Sequence, residues 1–360
     1  MLFLTHRPVP VLIATSDNAN ADVLQTLSLL GVRMIAMRCA GFDRVDTKAA
    51  KAFNMTVARV PAYSPYAVAE MAVALLMAVN RKIHRAAQRV KMGTCTVCWT
   101  GPLREKHHIF IIRVLSHACI HAHLFLSANF TLDAGLIGVD IYGKTVGVMG
   151  TGKIGQIMCD IMLGFGVKLL CYDVYESQAI KDKGGVYVSQ DELFAKSDVI
   201  MLSMPLIKPT YHTINMDTLK KLKKGVILIN TSRGGLVDTK ALLKGLQTGV
   251  FGGVGMDVYE NEQAYFFQGK VECSQMWRCC LSPPISHFFV CADWSAKHMQ
   301  DEDLMSLLGN NNVVLTAHQA FFTQEAVDKI VETSLSNLYD FSKGKTGQEH
   351  PNNCIPAETA

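Results

Sequence analysis

No block of lysine and arginine stands out in this 360-residue chain, whose 35 basic and 31 acidic side chains leave a net charge of +4. So even a balance does not imply nucleic acid or an anionic membrane as a partner. The opening residues, Met1-Leu2-Phe3-Leu4-Thr5-His6-Arg7, lack the charged stretch and apolar core that secretion needs, and they are not the Arg- and Ser-rich amphipathic type used for organelle import. The cytoplasm is the expected compartment. Nor is any membrane-length apolar run free of polar groups. The most apolar window, residues 109–126, carries Arg113, His117, His121 and His123, which are costly in lipid, so no membrane span is expected. Cysteine is not scarce, at eleven residues, but without a secretory signal it does not imply a disulfide framework. The length leaves room for about two domains, each with its own core.

The chain instead shows a steady alternation of short apolar runs with helix-like stretches. Residues 23–30 read as helix, 33–38 as strand, 46–52 as helix and 57–60 as strand. The segment Pro61-Ala62-Tyr63-Ser64-Pro65 stops that strand and starts a helix, with Ser64 placed as its N-cap and Pro65 at its first position. This helix is expected to run to about Arg89, and because residues 67–79 are apolar nearly all round it is predicted to be buried, between domains or subunits. Further along, residues 199–203, 226–230, 252–258 and 313–316 are strand-like, while 216–221 and 239–245 look helical. The pattern predicts an α/β fold with a doubly wound parallel sheet and helices on both faces. Ligands of such sheets gather at the carboxyl ends of the strands.

One of those strand ends carries a specific signal. The β-like run 146–149 leads directly into Gly150-Thr151-Gly152-Lys153-Ile154-Gly155, an apolar helical stretch follows, and the next β-like run ends on Asp173. This is the arrangement of a dinucleotide-binding βαβ unit. Gly150 permits the tight turn, Gly152 lets a pyrophosphate approach the backbone, and Gly155 lets the helix pack against its strand, while the helix N-terminus offers unpaired N–H groups. A carboxylate at position 173 suits the ribose 2′-hydroxyl and opposes a 2′-phosphate, so NAD is expected rather than NADP.

Later strand ends hold Met204-Pro205, Thr231-Ser232-Arg233, Asp257-Val258-Tyr259-Glu260-Asn261-Glu262 and Thr316-Ala317-His318. Singly, each has an ordinary structural explanation; together, behind a dinucleotide turn, they suit hydride transfer at a 2-keto acid. A guanidinium fork binds a carboxylate with two hydrogen bonds, an imidazolium gives its proton to the carbonyl oxygen, and a carboxylate beside the imidazole orients it and raises its basicity. With residues 38–46, 60–70, 142–155, 230–234, 255–262 and 318–323, the chain resembles the D-isomer-specific 2-hydroxyacid dehydrogenases, and within them the NAD-dependent D-lactate branch, through its Tyr-Glu-x-Glu and His-Gln-Ala-Phe-Phe segments.

The resemblance implies roles residue by residue. Arg233 would bind the substrate carboxylate, His318 would donate the proton and Glu262 would tune it, with Glu260 a bystander. Lys153 and Ile154 would touch the pyrophosphate, Asp173 the ribose, Met204, Pro205, Thr231 and Ser232 the rest of NAD, and Asp257 would lie near the nicotinamide. Ala40, Gly41, Tyr63 and Phe321 would line the substrate side. The implied organisation is an NAD-binding domain over residues 64–318, a smaller flavodoxin-like substrate domain over 1–63 and 319–345, and a tail over 346–360. Closure of the two would exclude water. A 2-keto or 2-hydroxy acid is the implied substrate and a homodimer the implied assembly, with no metal. A non-catalytic NAD-sensing scaffold, similar to the C-terminal-binding corepressors, is the alternative; a non-functional product is another.

Three departures from the family pattern stand out. The family's substrate domain begins with about a hundred residues, whereas only about twenty precede the region that aligns here, so that domain is expected to be truncated and to leave exposed sheet edge. Residues 94–128 and 269–292 interrupt otherwise continuous family-like sequence, and they hold seven of the eleven cysteines and six of the twelve histidines. Their unlike composition reads as retained intron sequence. Cys95, Cys98, Cys119, His121 and His123 could alternatively supply zinc ligands, but their spacing departs from the usual one.

Overall fold

The computed structural model describes residues 9–13, 17–42, 44–91, 134–262 and 301–355. Both interruptions of the family pattern, with the zinc-ligand candidates and the apolar window 109–126, lie outside these residues. The chain divides into two compact units, Met1–Val68 with Gln319–Ala360, and Ala69–His318.

The first unit is built on a parallel three-stranded sheet of β1 (Val9–Ile13), β2 (Val32–Met37) and β3 (Thr56–Ala58), in that order. Helix α1 (Ala21–Leu29) is capped by Asn20, whose side chain accepts from the Val23 N–H, and α2 (Thr47–Ala52) by Asp46 in the same way from Ala49. Leu24, Ile35, Met37, Met55 and Val57 form the core that these helices cover. Strand β1 was not legible, because its Pro10 argues against a strand and only pairing with β2 reveals one.

Helix α3 (Pro65–Asn80) starts where the sequence places it. The Ser64 hydroxyl accepts from the Ala67 N–H at 3.2 Å, with Pro65 at the first position. It does not run on to Arg89. Asn80 turns its side chain to both backbone groups of Val139, at 2.7 and 2.9 Å, the chain breaks through Lys82 at φ +53°, and α4 (Ile83–Lys91) follows. These tertiary bonds, with the His84 ring on the Ala78 carbonyl, outcompete continuation of the helix.

The second unit holds a seven-stranded parallel sheet. In chain order its elements are β4 (Thr145–Met149), α5 (Lys153–Gly164), β5 (Lys168–Tyr172), α6 (Gln178–Asp182), β6 (Val186–Tyr187), α7 (Gln190–Lys196), β7 (Val199–Leu202), β8 (Val226–Asn230), α8 (Thr239–Gln247), β9 (Phe251–Met256), α9 (Glu302–Leu308) and β10 (Val313–Leu315). The strand order is β10-β9-β8-β7-β4-β5-β6, so the winding reverses beside β4, between β4 and β7. That is the doubly wound arrangement, and its switch point lies where the glycine turn emerges.

Strands β7 and β8 are buried along their whole length and send alternate side chains into two cores. Ile200, Leu202, Val226 and Leu228 enter one with Phe194 and Phe251; Val199, Met201, Ile227 and Ile229 enter the other with Leu75, Leu76 and Val79 of α3 and Met158 and Met162 of α5. Burial on both faces is why these strands read as unbroken apolar runs. The helix expected at 216–221 is only a 3₁₀ turn, Thr218–Lys221. Asn215 and Thr218 accept each other's backbone N–H through their side chains, the reciprocal capping that starts a helix, but the turn is short and Leu222 leaves it at ψ 142°. The first unit is completed by α10 (Gln324–Ser342), whose Phe341 packs on Met34, Ala36 and Ala58, and by a 3₁₀ turn at Gly347–Glu349. Among the described residues, no helix is long and apolar enough to cross a membrane.

Candidate active site

The carboxyl ends of β4, β5, β7, β8, β9 and β10 bring most of the sequence candidates to one rim of the larger sheet. At the first of these ends Gly150 has φ +90°, and a Cβ there would lie 2.5 Å from the Ser203 carbonyl oxygen. A Cβ on Gly155 would run into the Gly150 carbonyl, so the helix can approach its strand only with glycine at that position. Gly152 is the N-cap of α5 and contributes no side-chain cap, and nothing would meet a Cβ on it within 4 Å. The N–H groups of Lys153 and Ile154 open the helix there.

Asp173 follows β5 and accepts at Oδ2 from the Thr151 N–H and from its hydroxyl at 3.1 Å, and at Oδ1 from the Tyr175 N–H at 3.2 Å. Burial pushes its carboxyl up, but these bonds outweigh that and hold it below the usual carboxylate range. Tyr187 donates to the Thr151 hydroxyl at 2.9 Å and so fixes the turn from β6, a support that the sequence did not signal. Met204 is buried and Pro205 exposed after β7, and Thr231 is buried after β8.

Arg233 sits in the loop after β8. Asn230 braces this loop, donating from its side chain to the Arg233 carbonyl and accepting from the Ser232 N–H, and the Ser232 hydroxyl reaches the Leu202 carbonyl at 2.7 Å. After β10, His318 adopts φ +53°, held there by its N–H on the Asp257 carbonyl at 2.7 Å. Its Nδ1 lies 3.0 Å from Glu262 Oε1. A carboxylate can only accept, so Nδ1 carries the donated proton and Nε2 is the other working nitrogen. Glu262 is itself oriented by the Tyr259 N–H on Oε2 at 3.3 Å. Asp257 is fully buried and accepts from the Thr316 hydroxyl, so it ties the His318 loop to β9. Thr316 stands in the strand-end segment that the sequence marks, but its role as a donor to Asp257 appears only in the structure.

The remaining candidates lie in the first unit. Tyr63 meets Phe321 edge to face with ring centroids 5.8 Å apart. Arg59 donates to the Ala40 carbonyl at 2.8 Å and stacks over Phe42 at 4.9 Å, and the Gly41 carbonyl accepts from Cys39. Arg59 has no motif to mark it, and only the tertiary structure shows its place beside Ala40.

Comparison with known proteins bears on this arrangement. The model of the D-isomer specific 2-hydroxyacid dehydrogenase NAD binding domain matches residues 109–320. A 2-hydroxyacid dehydrogenase homolog of Haemophilus influenzae is 40% identical over 335 residues, covering 93% of this chain and 83% of the relative. The chain belongs to the D-isomer specific 2-hydroxyacid dehydrogenase family. D-lactate dehydrogenase of Escherichia coli is 39% identical over 336 residues, 93% of this chain and 84% of that protein. Among solved structures, D-lactate dehydrogenase from Aquifex aeolicus, complexed with NAD and lactic acid, superposes with a TM-score of 0.72 at 29% identity, over 97% of this chain and 87% of that one.

As a member of this family the protein is an NAD-dependent oxidoreductase acting on small molecules. Its own residues fit the cofactor. The turn at Gly150 to Gly155 exposes backbone N–H groups without a side-chain cap, Asp173 keeps its charge, and the buried Thr231 hydroxyl has no hydrogen-bond partner among the described residues.

Proposed function

We propose that this chain reduces pyruvate to D-lactate with NADH, and that the pairing of His318 with Glu262, at 3.0 Å on the rim that also carries Arg233, is the observation that carries this reading. Arg233 binds the substrate carboxylate through its planar fork. Glu262 holds His318 in the tautomer that leaves Nε2 toward the carbonyl oxygen, and supports the charged ring that gives up the proton there. NADH, when bound, supplies the hydride. Pyruvate, NADH and one proton then account for lactate and NAD. Lys153, Ile154 and Thr231 hold the cofactor's polar groups and Asp173 its ribose, while Ala40, Gly41, Tyr63 and Phe321 line the substrate side. The domain roles follow, with cofactor binding in residues 64–318 and substrate contacts from 1–63 and 319–345. A homodimer in the cytoplasm is the working form, which light scattering reads directly against the 39.6 kDa chain mass.

The test is NADH oxidation by the purified chain on addition of pyruvate, with the lactate stereoisomer identified enzymatically. His318→Ala is expected to lower kcat by about a hundred- to ten-thousandfold while NADH binding persists. Arg233→Lys, which cannot reproduce the fork, raises the KM for pyruvate and lowers kcat. Wild-type rates in both variants would remove these residues from the site. NADH bound without turnover by the wild-type chain would favour an NAD-sensing scaffold instead.

A further inference from the structure

On sequence alone Glu260 is a bystander two residues before Glu262, yet its two carboxylate oxygens join three loops. Oε1 accepts from His212 Nε2 at 2.6 Å, with the Tyr211 hydroxyl at 3.4 Å; Oε2 accepts from the Thr239 hydroxyl at 2.8 Å and the Thr239 N–H at 3.2 Å. Tyr211 and His212 belong to the loop after β7, Thr239 opens α8, and Glu260 lies in the loop after β9. Arg233 sits among these pieces. A Cβ on Gly234, its neighbour, would run into the Tyr259 carbonyl, so the peptide that follows Arg233 rests directly on the peptide that precedes Glu260. The same stretch accepts the His212 N–H at the Gly235 carbonyl, 2.9 Å, and the Ile214 N–H at the Leu236 carbonyl, 3.0 Å.

We infer that Glu260 is a positioning residue, whose carboxylate clamps the Tyr211–His212 loop and the start of α8 onto the loop after β9 and so fixes the placement of Arg233. The inference rests on the reading of Arg233 as the binder of the substrate carboxylate. Three further features accompany the clamp. His212 sits at φ +51°, in the left-handed region that few non-glycine residues adopt, with its N–H held on the Gly235 carbonyl. Tyr211 stacks flat on the His212 ring, with centroids 3.8 Å apart and 19° between planes, and so covers one face of that ring. Burial pushes the Glu260 carboxyl up, yet the His212 and Thr239 hydrogen bonds outweigh it and hold the group below the usual carboxylate range. A bidentate substrate contact is sensitive to small shifts of the guanidinium, so loss of the clamp is felt first in carboxylate binding.

The experiment compares the full chain with Glu260→Ala, Glu260→Gln, His212→Ala and the double variant Glu260→Ala/His212→Ala, using pyruvate kinetics and NADH titration. Glu260→Ala is expected to raise the KM for pyruvate about tenfold, as for loss of a charge-assisted hydrogen bond, with a smaller change in kcat and NADH affinity within about twofold. Glu260→Gln, which keeps an acceptor for Thr239, restores most of the affinity. His212→Ala raises KM as well, and the double variant is no worse than Glu260→Ala, because both act through one clamp. An unchanged KM in Glu260→Ala overturns the inference, and so does a joint fall of pyruvate affinity, NADH affinity and kcat in both Glu260 variants, which is general loosening. Should Glu260→Ala not fold, an unchanged KM in His212→Ala overturns it equally. A wild-type chain that leaves NADH untouched overturns the functional reading itself, and the inference with it.

Discussion

Asp173 is asked to serve two partners at once, the Thr151 N–H of the glycine turn and, in the proposed complex, a ribose hydroxyl. The two demands agree in sign, since both favour the ionised carboxylate. Burial opposes ionisation, but the bonds from Thr151 and Tyr175 prevail and lower the folded-state pKa. A depressed carboxyl pKa contributes stability that is present above its unfolded value, about 3.9, and is lost as the pH falls through the lower folded value. The charge proposed to recognise the ribose therefore survives mild acid. We expect Asp173→Asn to weaken NADH binding about tenfold or more, and the ratio of variant to wild-type dissociation constants to be the same at about pH 7 and about pH 5. Titrations at the two pH values check this; a ratio that collapses toward one at the lower pH would show that Asp173 has already taken a proton there.

Helix α3 shows what pattern can and cannot deliver at the scale of an element. Its start was legible because capping is local chemistry, carried by Ser64 and Pro65; the apolar run 67–79 marked the face that Ala69, Ala72, Leu75, Leu76 and Val79 bury, while Glu70 and Ala74 stay exposed. Its end was not, because Asn80 is diverted by Val139, a residue 59 positions away. Asn80→Ala removes both bonds, leaves the Val139 backbone to water at a half-exposed site, and should cost about 1–2 kcal/mol in urea unfolding. Unchanged stability would mean that the break is set by Lys82 alone. The same division runs through the site. Gly150, Gly155, Arg233, Glu262 and His318 sit at strand ends in recognisable spacing, so reading the sheet brought them to one rim. The supports around them, Tyr187 on Thr151, Thr316 on Asp257, Arg59 on Ala40 and His212 on Glu260, are tertiary pairings of side chains with no spacing in common. Strand β1 belongs with these, since only its partner β2 makes it a strand.

At the scale of the molecule, the residues proposed to hold the cofactor and those proposed for proton transfer and carboxylate binding all belong to Ala69–His318, whereas Ala40, Gly41, Tyr63 and Phe321 belong to the other unit. The two units have separate apolar cores, one gathered around Ile200, Leu228 and Phe251 and around Val148, Met158 and Ile229, the other around Leu24, Ile35 and Val57. A ligand stabilises only what unfolds with the loss of its site. NADH at about a hundred times its dissociation constant adds about 2.7 kcal/mol to the stability of the unit that binds it. For a unit of this size that raises its midpoint by roughly 5–10 °C. Calorimetric scans are therefore expected to resolve two transitions, of which NADH moves one by that amount and leaves the other in place. A single transition that moves as a whole would show that the cores unfold as one block, and a scan in which nothing moves would remove the cofactor from the rim of the larger sheet.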